Sequence, residues 1–165
     1  MDSSTTIPKS IRGMQMKKYN VKRAKEYLQQ ARTANERIIQ CNCRLKELRE
    51  EYGKLTANYG ENIGHGNKKY DTSDYIVNLI ERQKQIEAQK VKFQEKIYEI
   101  DNFIFNLDIS QKDEPLRRLL ILRYVNAKDF DEIYQEMNYS YNYLIQTMHL
   151  KALYIVEKKL NEIQK

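Results

Sequence analysis

Two heptad-spaced seams, one on each side of a glycine-rich connector, constrain this chain more than any other feature. Between about residues 20 and 57, one series runs Ala24, Ala31, Ile38, Leu45, Tyr52 and another runs Tyr27, Ala34, Cys41, Leu48, Leu55, offset by three. Small or apolar residues repeating at that interval form the seam of one helix packed on another. A second seam follows, with Ile76, Gln83, Lys90, Ile97, Ile104 in one series and Leu79, Ile86, Phe93, Ile100, Leu107 in the other. Each run covers about 35 residues, or roughly 50 Å of helix. The connector, ANYGENIGHGNKKYDTSD, contains Gly60, Gly64 and Gly66, and with Gly53 just before it holds four of the five glycines. Matched lengths around a flexible loop at about 56–73 predict an antiparallel helical hairpin of the coiled-coil kind. Thr72, Ser73 or Asp74 is expected to cap the second helix. Ala24, Ala31 and Ala34 then fall opposite Ile97, Ile100, Phe103 and Ile104, small against bulky. Gln83 and Lys90 interrupt the second seam. Polar seam residues can fix register or partner number, so a homo-oligomer, most simply a dimer, is expected, and pairing within or between chains stays open.

From residue 110 the pattern changes to short helices with strong punctuation. Ser110 or Asp113 caps a helix whose first turn suits Pro115, and Leu116, Leu119, Leu120 and Leu122 to Tyr124 give it an apolar face ending near Asn126. Asp129 caps a second, short helix carrying Phe130, Ile133, Tyr134 and Met137. Asn138 tolerates the left-handed conformation of a tight turn, and Ser140 caps a helix starting near Tyr141. A short helix, a tight turn and a longer helix make a helix-turn-helix. The expected fold is therefore all-α: a basic N-terminal segment at 1–19, a helical hairpin at 20–109 and a three-helix unit at 110–165.

Charge is distributed unevenly along these parts. Residues 1–58 carry 13 Lys and Arg against 6 Asp and Glu, residues 59–110 carry 7 against 9, and residues 111–165 carry 9 against 8. The basic excess sits near the N-terminus, where Lys17, Lys18, Lys22, Arg23 and Lys25 are phosphate-contact candidates; a solvated lysine-rich helix start is the plainer alternative. The longest apolar runs, such as LLIL at 119–122, fall far short of the roughly 20 residues a bilayer span needs, and the first residues lack a secretory signal's apolar centre. Cys41 and Cys43 have no second Cys or His pair at zinc-ligand spacing, and His65 stands alone, so no metal is expected. A cytoplasmic setting is the simplest. No catalytic dyad, carboxylate pair or phosphate-cradling loop is present in the pattern, so neither an enzyme nor a cofactor is expected.

The stretch LRRLLILRYVNAKDFDEIYQEMNYS…HLKAL, in the pattern L..RY...K...EI...M..S, resembles region 4 of bacterial sigma factors. It is more similar still to small phage proteins of Gram-positive hosts related to the ArpU-type transcriptional regulators, which join a helical arm to a sigma-region-4-like domain. The resemblance is best over about residues 73–160, and it implies a transcriptional role in the host cell. Two departures bear on the site. Tyr134 stands where the helix-turn-helix pattern has Ala, so its ring either forces the helices apart or swings to their edge. The spacing from Ser140 to Ile145 is one residue long unless Leu144 is the first inward residue, which leaves the register of the third helix open by one.

In that helix the outward candidates are Tyr141, Asn142, Tyr143, Gln146, Thr147 and Lys151. Asn and Gln can pair with adenine, Thr and Tyr can meet a thymine methyl or a phosphate, and Lys can neutralise a phosphate. The helix has no Arg and its unit is nearly neutral, so it should bind duplex DNA weakly on its own. The leading expectation is a phage-encoded DNA-binding regulator whose arm serves as spacer or dimerisation element. The alternative is an interaction factor that grips host RNA polymerase or another host protein, a reading favoured by exposed tyrosines.

Overall fold

The computed structural model describes residues 20–61 and 72–163, within which the chain is all-α, with no strand among the described residues. Helix α1 is Lys22–Glu61 and α2 is Thr72–Phe105. A 3-10 turn at Gln111–Asp113 leads into α3, which is Glu114–Leu120 continued by a π-helical turn, Ile121–Val125. Helix α4 is Phe130–Met137. Helix α5 denotes the continuous run of Tyr141–Tyr143, a π-helical turn at Leu144–His149, and Leu150–Ile163.

Helices α1 and α2 lie against each other in opposite directions. Near one end the Tyr27 and Phe103 rings meet edge to face at 5.0 Å, and the Tyr27 hydroxyl donates to Glu99 at 3.4 Å. Near the other end the Tyr75 hydroxyl donates to Glu51. The heptad positions face inward: Ala24, Ala31, Ala34, Cys41, Leu45, Leu79, Ile100, Ile104 and Leu107 are buried. Gln83 and Lys90 are half-buried, and the Gln83 amide donates to Glu87 at 2.9 Å. Tyr52 is the exception, 44% exposed. The first helix continues through Gly53 to Glu61 instead of stopping near 56. A helical Gly costs only about 1 kcal/mol against Ala, and half-buried Leu55 keeps that turn against the pair.

The chain boundary near residue 110 is not a boundary in the core. Ala24, Leu28, Ala31, Ile100 and Ile104 belong to the same buried cluster as Leu116, Leu119, Leu120, Tyr124, Ile133, Leu144, Met148, Ala152, Leu153, Val156 and Leu160. Leu28 lies off both heptad series yet is fully buried, because α1 packs on two partners at once.

Polar contacts fasten the same junction. The Glu157 carboxylate on α5 accepts from the Ala24 backbone N–H at 2.7 Å. That donor belongs to the first turn of α1, where no carbonyl precedes it and negative charge is favourable. At the far end of α2, the Arg117 guanidinium donates to the carbonyls of Ile104 at 2.8 Å, Phe105, and Leu107 at 3.1 Å, while its Nε donates to Glu114 at 3.0 Å. One side chain from α3 thus satisfies the last turn of α2.

Replacing Arg117 with Ala should destabilise the protein by about 1–3 kcal/mol, since the part-buried carbonyls of Ile104 and Leu107 lose charge-assisted donors. Urea unfolding would measure this; Arg117→Lys should recover only part of the loss, because an ammonium cannot span the three acceptors.

Candidate functional site

The C-terminal unit is built around a tight turn whose chemistry is local. Asp129 caps α4 in a reciprocal box: its side chain accepts from the third backbone N–H, while Glu132 accepts from the Asp129 N–H at 2.8 Å. At its other end Asn138 takes the left-handed conformation, φ 57° and ψ 39°, and its N–H bonds the Tyr134 carbonyl. Ser140 then starts α5 by accepting from the Tyr143 N–H at 3.4 Å. These caps fix the angle at which the front of α5 leaves the turn.

Leu144 is fully buried and is the first inward residue of α5, followed by Met148, Ala152, Val156 and Leu160. A spacing of four advances about 40° per step around an ideal α-helix, and a π turn carries extra residue per turn that undoes the drift. The π turn at Leu144–His149 offsets the drift of the first step, from Leu144 to Met148. The burial of Leu144 settles the register in its favour, with Ile145 only half-buried.

That register leaves Tyr141, Asn142, Tyr143 and Gln146 exposed and Thr147 half-buried. Asn142 and Gln146 are four apart, so they share a helix face. Lys151 is exposed but not free: its ammonium lies 2.6 Å from Asp113 at the start of α3. It holds α5 to α3 and pulls the Asp113 carboxyl below its ordinary range. The tyrosines form a surface group. Tyr134 has swung its ring to the edge, 36% exposed and edge-on to Tyr141 at 5.9 Å, and Tyr139 lies 5.9 Å from Tyr143.

Three further cations near this face, Arg118, Lys128 and Arg123, are engaged in ion pairs. Lys128 and Arg118 both pair with Glu136, at 2.5 and 3.3 Å, and lower its carboxyl pKa, with the Lys128 bond the larger cause. Arg123 and α1's Arg32 converge on Asp129 at 3.0 and 2.7 Å and lower its pKa, with the Arg32 bond the larger cause. Both guanidiniums also donate to the Lys128 carbonyl, and Asn35 donates to the Val125 carbonyl at 2.8 Å. Helix α1 therefore clamps the α3–α4 loop, where Ala127 adopts φ 55°.

The described phosphate-contact candidates, Lys22, Arg23 and Lys25, do not join this face. Arg23 donates to Asn161 near the end of α5, about 30 Å along the helix from Tyr141 at 1.5 Å per residue. Lys22 pairs with Glu26 at 3.8 Å. Lys17 and Lys18, like His65, lie outside the described residues. Lys25 instead lines an open groove of about 700 Å³ between α1 and α2, together with Arg37, Lys92, Lys96 and Phe93. The sequence reading missed this gathering because its members are far apart in the chain and off the seams.

Inside the unit, His149 links three helices: its Nε2 is 3.0 Å from the Tyr124 hydroxyl, and its ring meets Phe130 edge to face at 5.1 Å. Burial, then Arg123 and Lys25, pushes its pKa down to about 4. Burial pushes the Tyr124 hydroxyl up to about 12. No group of three or more His, Cys, Asp or Glu able to hold a metal occurs among the described residues, and no described helix is long and apolar enough to cross a membrane. Comparison with protein-family models, curated proteins and solved structures finds no match.

His149 should make stability pH-dependent. Because its folded pKa is about 4 and its ordinary value is 6.5, the unfolded chain binds the proton more readily between them. Stability is fully present above about pH 6.5 and falls as pH drops toward 4, by roughly 3 kcal/mol. Thermal unfolding of His149→Gln between those pH values should show a flatter dependence than the parent protein.

Proposed function

We propose that the protein is a DNA-binding transcription regulator. In this reading α4, the turn at Asn138 and α5 form a helix-turn-helix of the sigma-region-4 kind, and α1 with α2 forms a coiled-coil arm for spacing or dimerisation. The supporting observation is the front of α5: a helix fixed by the Asn138 turn and the Ser140 cap presents Asn142 and Gln146 on one solvent face, flanked by Tyr141 and Tyr143. Amide side chains at the first turns of such a helix suit adenine edges in the major groove, and tyrosine hydroxyls suit phosphates. The resemblance to small phage proteins of Gram-positive hosts supports placing this activity in a phage-infected bacterial cytoplasm.

A second reading is favoured by one observation. Arg118, Lys128 and Lys151 are held in ion pairs while Tyr134, Tyr139, Tyr141 and Tyr143 stand at the surface. Such a face suits a protein partner such as host RNA polymerase, since phosphate neutralisation dominates DNA affinity.

Selection of bound fragments from phage and host genomes, followed by anisotropy titration at several salt concentrations, tests the first reading. A short site should be enriched, and Asn142→Ala or Gln146→Ala should each weaken binding to it by about 1–3 kcal/mol. No enrichment, with polymerase subunits co-purifying in the absence of DNA, would instead support the second.

A further inference from the structure

The outer face of α2 carries a second heptad series that the other described helices leave largely exposed. Val77, Val91, Tyr98 and Phe105 are 57%, 50%, 68% and 72% exposed, and Lys84 occupies the remaining position of this seven-residue repeat. Ile80, 44% exposed, lies beside it. On a helical wheel the stripe is centred roughly 140° from the residues that pack on α1. From 77 to 105 it runs for about 42 Å, drifting by about 20° per heptad as a supercoil seam does. A stripe that keeps a seven-residue period over that length matches another long helix, because only a helix follows the same period along its whole extent.

We infer that this stripe is a homodimer interface in which α2 packs antiparallel on α2 of a second copy, with the twofold axis at Val91. In that register Val77 meets Phe105 of the partner subunit, and Val91 meets Val91 of the partner subunit. The Lys84 stem lies over Tyr98 of the partner subunit, where a cation is attracted by the ring face. Its ammonium is on the same flank as Glu95 of the partner subunit, and Glu87, on the other flank, faces Gln94 of the partner subunit. Each contact occurs twice by symmetry. A parallel pairing would set Lys84 against Lys84 and Glu87 against Glu87, so the charges select the antiparallel arrangement. The self-complementarity of the stripe identifies its occupant as a second copy of this chain. The inference is independent of any nucleic acid, and its failure would leave the reading of α5 untouched.

Sedimentation velocity of the full chain between about 1 and about 100 µM decides it. The parent protein should sediment as a dimer in the micromolar range. Val91→Glu should raise the dissociation constant at least about 100-fold while leaving the helical circular dichroism unchanged. Lys84→Glu and Glu95→Lys should each weaken the dimer, and the double variant Lys84→Glu/Glu95→Lys should restore it. A monomeric parent protein, a Val91→Glu dimer as tight as the parent, or a charge swap that fails to restore assembly would each overturn the proposed pairing.

Discussion

The structure depends on the first three turns of α1 packing on two neighbours simultaneously. Ala24 and Ala31 bring the backbone of α1 close to Ile100 and Ile104 of α2, while fully buried Leu28 fills space in the same cluster as Met148, Ala152 and Val156 of α5. Small residues permit the close approach, and the single leucine supplies most of the apolar volume. Without this junction, α3, α4 and α5 would present a large apolar face to water, and α2 would lose the partner of its buried end.

Polar groups follow the same logic. Each helix end near the junction is satisfied by a side chain from a different element: Glu157 of α5 caps α1, Arg117 of α3 caps α2, and Arg32 of α1 reaches the loop before α4. Cross-element capping makes the arm and the C-terminal helices mutually dependent, since parting them exposes orphan backbone groups as well as apolar surface. The front of α5, whose amides and tyrosines carry the functional proposal, is thereby held on a rigid base that extends into the arm.

Much of this was legible in the sequence wherever the determinant is local or periodic. The seven-residue spacing marks the buried face of α1 and α2, and Asp129, Asn138 and Ser140 mark the turn because each acts on backbone within a few residues of itself. Leu28 was not legible, since it breaks the seam period to serve a third neighbour. Nor was the π turn of α5, which the series Leu144, Met148, Ala152, Val156, Leu160 hints at only through its spacing of four. Lys151 read as an exposed phosphate contact because its partner, Asp113, is 38 residues away. The separation of Lys22 and Arg23 from the front of α5 follows from tertiary packing that no local pattern encodes.

Native-state hydrogen exchange on the parent protein and on Leu28→Ala tests the shared junction most directly. If α1 and the C-terminal helices form one cooperative unit, amides of α1 near Ala31 and of α5 near Ala152 should open with the same free energy. The substitution should then lower both equally, by about 2–5 kcal/mol. Protection of α5 that stays unchanged while α1 alone loosens would contradict the account and make the C-terminal unit an independent domain.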